Sequence, residues 1–384
     1  MNIGYEAKRV YQNRTGLGNA ARSIVHSMDA NYPNHQYHLF APRITNLFSI
    51  DGNANMHAHA PNFWLGNQIK AWWRSKGVVK QLTQNEIDVY IGLGAELPLG
   101  LASKKIKSIV MIYDLIYERY PKQYNPIDVY TYRKKAKYAC ATADAIVTIS
   151  QQTKQDLIDF YEVPAEKITV VYLSCNEQFY QQHSPTEIAT IQHKYNLPGA
   201  YFLSVGSIIE RKGLSKICEA IHLLKNNTIP LVVIGNGKND YADSIAAFIT
   251  KYNLQDKIIF LNQKPEAQNE NYKNSIDFPA IYQGATALIY PSVFEGFGLP
   301  VLEGMASGLP VITSNCSCMP EVGGDAVLYV NPLDAQKIAD AMQHVSTDQH
   351  LCNALITKGR MQAQLFSEQH LAKRIMHVVD EVCK

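Results

Sequence analysis

No Cys-x-x-Cys pair, no Asp-x-Asp triplet and no apolar run approaching 18 residues occurs anywhere in the 384 residues. Each absence excludes something. The seven cysteines (Cys140, Cys175, Cys218, Cys316, Cys318, Cys352 and Cys383) are odd in number and scattered. That argues against a disulfide scaffold or a structural zinc site and fits a reducing, cytoplasmic compartment. Without a long apolar run nothing is expected to cross a bilayer. The first residues carry Glu6, Lys8 and Arg9 and no apolar centre, so they do not read as a secretory signal. An excess of charge of one sign is missing as well: 36 Lys and Arg face 34 Asp and Glu. A dedicated duplex binder carries a larger basic excess, so no nucleic-acid partner is expected. Only 18% of residues are charged, while 46% are apolar and 23 are tyrosine, which excludes a disordered chain. The length suits two or three domains with their own cores.

What is present is a rhythm of short, continuous apolar runs alternating with helical stretches. The runs are 36–40, 89–92, 108–113, 145–149 and 168–172 in the first half, then 201–205, 230–234, 257–260, 287–290, 310–312 and 326–329. Continuous rather than alternating apolar residues mark strands covered on both faces, as in parallel sheets. Ser150 is placed to cap a helix over 151–160. The stretch from about Gln178 to Gly199 is polar and holds Pro185 and Pro198, which reads as a linker with a short helix. The expected fold class is α/β: two doubly wound Rossmann-like domains, with a ligand cleft between them as the default site.

Three segments could carry chemistry. In Ser292-Val-Phe-Glu-Gly-Phe-Gly-Leu-Pro, a strand end leads into a helix, with Glu295 in the turn and Glu303 about one turn inside. Gly296 and Gly298 allow close backbone approach, and the amides of Phe297, Gly298 and Leu299 would open a helix N-terminus suited to anionic or hydroxylated groups. A helix cap and a solvated helix residue would be the plain reading of the two glutamates; the glycine and proline framing argues for a ligand. In Val205-Gly-Ser-Ile-Ile-Glu-Arg-Lys-Gly213, Arg211 and Lys212 stand at a helix start. Cations there oppose the helix dipole, and a bound diphosphate would justify them. Gly16 and Gly18 form a turn after the first strand, but the third glycine of the dinucleotide fingerprint is Ala21, so a nicotinamide oxidoreductase is disfavoured.

These segments resemble the retaining glycosyltransferases of the GT-B fold, specifically glycosyltransferase family 4. The anchors are Gly16-Leu17-Gly18, Tyr113-Asp114-Leu115, Ser150, Arg211-Lys212-Gly213 and the Glu295-to-Glu303 pair, which matches the family's Glu-x7-Glu pattern. The resemblance implies an acceptor-side domain at 1–180, a linker at 181–199, a nucleotide-sugar-binding domain at 200–365, and a final helix at about 366–384 crossing back to the first domain. It implies that Arg211 and Lys212 contact the donor diphosphate, that Glu295 and the amides after it contact the donor sugar, and that Glu303 contacts the ribose. Gly16 and Gly18 would bring an amide to the phosphate. Glu295, Arg211, Lys212 and Asp114 form the expected catalytic set, with Asp114 on the acceptor side. Two positions depart from the family: Tyr113 replaces the histidine of a His-Asp-Leu segment, and Ile91 stands where relatives often carry histidine. Tyr113 could still donate a hydrogen bond to the donor sugar.

The expected reaction moves a hexose from a GDP- or UDP-linked donor to a saccharide or lipid-linked saccharide acceptor, with anomeric retention, in polysaccharide biosynthesis. The absence of Asp-x-Asp implies no metal, with Arg211, Lys212 and helix-terminal amides supplying the positive potential. No other cofactor is expected. Whether retention uses a front-face route or a covalent intermediate is left open by the sequence. A nucleotide-sugar binder or epimerase-type protein on the same fold is the alternative. The last segment, with Leu371, Ile375, Val378 and Val379 on one face, predicts a helix. All three tryptophans, Trp64, Trp72 and Trp73, stand among Lys70, Arg74, Lys76 and Lys80, a pattern that suits peripheral contact with the inner face of a membrane, or a helix packing its indoles inward. The basic run 132–138 reads as a solvated helix face.

Overall fold

A computed structural model describes residues 1–61, 67–225 and 228–384. The chain divides into two compact units. The first comprises Met1–Ser174 together with Phe366–Lys384, and the second Cys175–Leu365.

The first unit is built on strands β1 (Asn2–Glu6), β2 (Gln36–Phe40), β3 (Met56–His59), β4 (Val89–Gly92), β5 (Lys107–Ile112), β6 (Ala145–Thr148) and β7 (Ile168–Val170). They form one parallel sheet in the order β3-β2-β1-β4-β5-β6-β7. The second unit carries β8 (Phe202–Val205), β9 (Leu231–Ile234), β10 (Ile258–Phe260), β11 (Ala287–Tyr290), β12 (Val311–Ser314) and β13 (Leu328–Val330), ordered β10-β9-β8-β11-β12-β13 and again parallel. The central strands β4, β9, β11 and β12 are buried along their whole length, which is why their sequences run apolar without alternation. Both sheets reverse their winding once, between β1 and β4 and between β8 and β11. At such a reversal the loops leaving the two strands diverge and leave a crevice at their carboxyl ends.

Ser150 caps Gln151–Tyr161 by accepting from the Thr153 amide at 3.0 Å. The last helix, Glu368–Cys383, buries Leu371, Ile375, Val378 and Val379 against the helix Gly16–Asn31 of the first unit. Glu368 fastens it there by accepting from Ser23 Oγ at 3.1 Å. The boundary between the units lies at Ser174. The stretch 181–199, read from the sequence as a linker, belongs to the second unit, where Pro185–Lys194 is a helix closed by a Ser184–Glu187 capping box. Strand β3 has no apolar run, and its pattern was not legible; the His57 ring lies tilted against His38, and the His59 ring stacks on His38 and Phe40 of the neighbouring strand.

Among the described residues no helix is long and apolar enough to cross a membrane. The tryptophan-rich stretch does not form one exposed face. Trp64 lies outside the described residues, Trp72 is exposed, and Trp73 is 2% exposed and packs with Phe40, Val78 and Leu82. In the basic run, Ala136 is buried, Arg133 pairs with Glu118, and Lys135 pairs with Glu96 at 2.9 Å, so only part of that face is simply solvated.

Candidate active site

The crevice of the second unit is assembled by the loops leaving β8 and β11. After β8 the chain passes Gly206 (φ +143°), makes a tight 3-10 turn over Glu210–Lys212, and enters the helix Leu214–Leu224 through Gly213 at φ +71°. A Cβ on Gly213 would lie 2.6 Å from the Pro291 carbonyl oxygen, so glycine is what lets the two loops touch. They are also stitched together: the Val293 amide donates to the Arg211 carbonyl at 2.9 Å, and the Arg211 guanidinium donates to the Phe294 carbonyl.

This stitching brings Arg211, Lys212 and Glu295 onto one point. Arg211 Nη1 lies 2.9 Å and Lys212 Nζ 2.7 Å from the same oxygen, Glu295 Oε1. The Tyr290 hydroxyl donates to that oxygen at 3.0 Å and accepts from Lys212 Nζ at 2.5 Å. Arg211 and Glu295 are both less than 10% exposed. Burial pushes the Glu295 carboxyl up, but Lys212 and Arg211 outweigh it and hold the group below its ordinary range, so it stays ionised. Its backbone is fixed from the other side. Ser317 accepts from the Glu295 amide at 3.1 Å and donates to its carbonyl at 2.9 Å. Beside Lys212, a small cavity is lined by Ser204 to Ile208, Leu214, Val233 and Tyr290.

Past Glu295, Gly296 and Phe297 are buried, and Gly298 at φ +99° opens the helix Leu299–Ala306, with Pro300 in its first turn. Glu303 sits in that helix as expected but is not a solvated residue. It is half-buried and accepts from the Tyr282 hydroxyl at 2.7 Å. Burial pushes its carboxyl up to about 7, against the pull of the Tyr282 hydrogen bond. Each glutamate therefore has a tyrosine partner, and the two differ in charge state near neutrality: Glu295 is anionic, and Glu303 is poised to gain or lose a proton.

In the first unit the expected residues are spread out. Gly16 begins the helix Gly16–Asn31 and is exposed. Gly18 is buried with a Cβ position 1.9 Å from the Asn13 carbonyl oxygen, so its lack of a side chain serves packing of the preceding loop. Tyr113, at the end of β5, is 3% exposed; its hydroxyl has no hydrogen-bond partner among the described residues, its ring lies under the Arg9 guanidinium at 5.3 Å, and burial pushes its phenol up. Asp114 is half-buried and accepts from the Ile116 amide at 3.1 Å, at the start of the short helix Ile116–Arg119. Ile91 is fully buried within β4. Among the described residues no group of three His, Cys, Asp or Glu is arranged to hold a metal ion.

A set of residues that sequence reasoning missed lies at the winding reversal of this sheet. Glu6 ends β1, and Glu96 follows the Gly92-Leu93-Gly94 turn after β4. Both are less than 10% exposed. Arg74, on a π-helical turn spanning Trp73–Gly77, binds Glu96 and lies 3.9 Å from Glu6. Such turns are concentrated at functional sites. Gly94 faces the Glu6 carboxylate, which a Cβ there would meet at 2.9 Å. Burial raises the Glu6 carboxyl, with Arg74 opposing. The available signal was positional: carboxylates at the carboxyl ends of the two strands that flank the reversal.

Comparison with known proteins bears on both units. Residues 187–362 match the family described as Glycosyl transferases group 1, and residues 15–178 match Glycosyltransferase Family 4. The chain is 30% identical to the O-antigen chain mannosyltransferase B of Escherichia coli, over 73% of this chain and 70% of that protein. It is 29% identical to the O-antigen chain mannosyltransferase RfbU of Salmonella typhimurium, over 62% of this chain and 60% of that one. The fold is shared with a glycosyltransferase from Rickettsia africae (TM-score 0.75, 18% identity, covering 100% and 98% of the two chains). It is also shared with Anabaena Alr3699/HepE solved with UDP-glucose (TM-score 0.75, 14% identity, covering 99% and 100%).

Proposed function

Since the chain belongs to glycosyltransferase family 4 and has the GT-B architecture of two Rossmann-like domains, it is a glycosyltransferase, and we propose that it moves a hexose from a nucleoside-diphosphate sugar to a saccharide or lipid-linked saccharide in polysaccharide biosynthesis, with anomeric retention and without a metal ion. The observation that carries this reading is the convergence of Arg211, Lys212 and Glu295 at the β8/β11 crevice. A diphosphate leaving group develops charge as the glycosidic bond breaks. A guanidinium fork and an ammonium fixed beside it would stabilise that charge without a metal. Glu295 would receive the donor sugar's hydroxyls and Glu303 the ribose hydroxyls, at two depths of one helix start. The amides of Phe297, Gly298 and Leu299 would face the sugar. The acceptor proton would pass to the departing phosphate, whose oxygen is the group freed as the glycosidic bond breaks.

The acceptor would bind in the first unit, at the carboxyl ends of β1, β4 and β5. There Glu6 and Glu96 supply acceptors, Arg9 and Arg74 supply donors, and the Tyr113 hydroxyl has no partner among the described residues. Mixed carboxylate and guanidinium groups suit a polyol. Asp114, which accepts from the Ile116 amide, would act there by holding the Tyr113 segment. Mannose is the first sugar to test, because the curated relatives named above are mannosyltransferases.

The test is transfer from GDP-mannose, UDP-glucose and related donors to saccharide and polyprenyl-diphosphate-saccharide acceptors, in EDTA and with added Mg²⁺ or Mn²⁺. The expected result is a product of retained anomeric configuration, formed at equal rate in EDTA. Loss of turnover in EDTA would overturn metal independence, and an inverted product would overturn retention.

A further inference from the structure

We infer that Glu295 is an internal competitor of the donor's diphosphate, and that this competition makes the site prefer nucleoside-diphosphate sugars over bare nucleoside diphosphates. The inference rests on the donor-site reading above and goes beyond it, by assigning Glu295 a second role that opposes phosphate binding.

A single carboxylate oxygen, Oε1, gathers Arg211 Nη1 at 2.9 Å, Lys212 Nζ at 2.7 Å and the Tyr290 hydroxyl at 3.0 Å. A phosphate oxygen seeks those same two cations in the same way. All three charged side chains are largely withdrawn from water, with 7%, 18% and 10% of their side-chain surface exposed for Arg211, Lys212 and Glu295. Contacts to these cations are therefore worth far more than surface pairs, and an anion that takes them must displace Oε1. The displaced carboxylate is left buried and in need of donors. A sugar attached to the diphosphate supplies them as hydroxyl hydrogens. A bare nucleoside diphosphate does not, so it bears the cost of the exchange without the return. The same balance acts after transfer: once the sugar has left, Glu295 reclaims its cations and favours product release. Main-chain fixation of Glu295 by Ser317 keeps the exchange local to the side chain.

The test is calorimetric titration of the full chain with UDP, GDP, UDP-glucose and GDP-mannose, comparing wild type with Glu295→Gln. Glutamine keeps the shape but cannot neutralise the cations. The expected result is about tenfold tighter binding of the bare nucleoside diphosphate in the variant, with the sugar no longer adding affinity. In turnover assays, inhibition by the bare diphosphate should rise in parallel. Equal or weaker binding of the bare diphosphate by a folded Glu295→Gln protein would overturn the inference while leaving the donor site standing. Failure of both proteins to bind any of the four nucleotides would overturn the donor site and the inference together. Should Glu295→Gln not fold, Tyr290→Phe replaces it. Removing one hydrogen bond from Oε1 should tighten bare-diphosphate binding by a smaller factor, and unchanged or weaker binding would overturn the inference.

Discussion

Replacing both Arg211 and Lys212 by alanine should lower kcat/KM for the donor by about 10³-fold or more, because two buried cations would no longer meet the diphosphate. Part of any such loss has a trivial origin that must be separated. The double substitution also strips Glu295 of both ionic partners, and an unpaired buried carboxylate costs about 3–5 kcal/mol of stability. The protein is therefore expected to melt at a lower temperature as well as to be inactive. Adding Glu295→Gln removes the stranded charge. The triple variant should recover thermal stability while transfer stays absent. Recovery of transfer together with stability would show that the two cations serve only to neutralise Glu295. The KM-against-kcat split is informative here. Contacts made equally to bound donor and transition state raise KM alone, whereas contacts that strengthen as the leaving group charges lower kcat too.

The second large effect concerns Glu303 and pH. Its carboxyl is pushed up to about 7 by burial, so it passes from neutral to anionic across the pH range of ordinary assays. The anion offers both oxygens as strong acceptors to the ribose hydroxyls, whereas the neutral acid turns one of them into a donor. The donor's phosphates are ionised throughout that range and add no titration of their own. The KM for the donor should therefore fall as pH rises from 6 to 8. Glu303→Gln should raise KM by about tenfold to a hundredfold, as expected for losing a charged hydrogen-bond acceptor, and should flatten that pH profile. Tyr282→Phe is the complementary variant. It removes the hydrogen bond that lowers the Glu303 pKa, so the midpoint should move to higher pH. The sign for folding is opposite to that for binding. A carboxyl whose folded-state pKa lies above its unfolded value favours folding at low pH. That contribution fades as pH rises from about 4.5 through about 7. The contributions of Glu303 to donor binding and to stability should thus move in opposite directions as pH rises toward neutrality, and both contributions should be absent in Glu303→Gln. A pH profile of KM unchanged by Glu303→Gln would remove this residue from the donor site.

Much of this site was legible because its parts lie beside strands in the sequence. Arg211 and Lys212 follow β8 within a few residues, and Glu295 follows β11. A parallel sheet delivers the carboxyl ends of neighbouring strands to one edge. Continuous apolar runs were enough to locate those strands, and the polar residues after them then had to meet. The partners of the two glutamates were not legible. Tyr290 closes an apolar strand and Tyr282 sits in a buried helix, so both read as core aromatics until their hydroxyls are seen on carboxylates. The Glu6–Arg74–Glu96 group left no more than a positional signal, for another reason. Its members come from three distant segments, and no local pattern links a π-helical turn to two strand ends. The sequence sets Arg74 beside the tryptophans, a pattern that suits either membrane contact or a helix packing its indoles inward. Gly18 shows a third kind of difference. The sequence reads it as part of a turn after the first strand, whereas it lies in the first turn of the helix Gly16–Asn31, where a Cβ would meet the Asn13 carbonyl oxygen.

The most direct measurement is a crystal structure of the full chain with a nucleoside diphosphate, UDP or GDP, soaked or grown in EDTA. The phosphate oxygens are expected within hydrogen-bond distance of Arg211 Nη1 and Lys212 Nζ, with Glu295 Oε1 displaced from both. Phosphates bound elsewhere, with Arg211 and Lys212 still held by Glu295, would contradict the placement of the donor at the β8/β11 crevice.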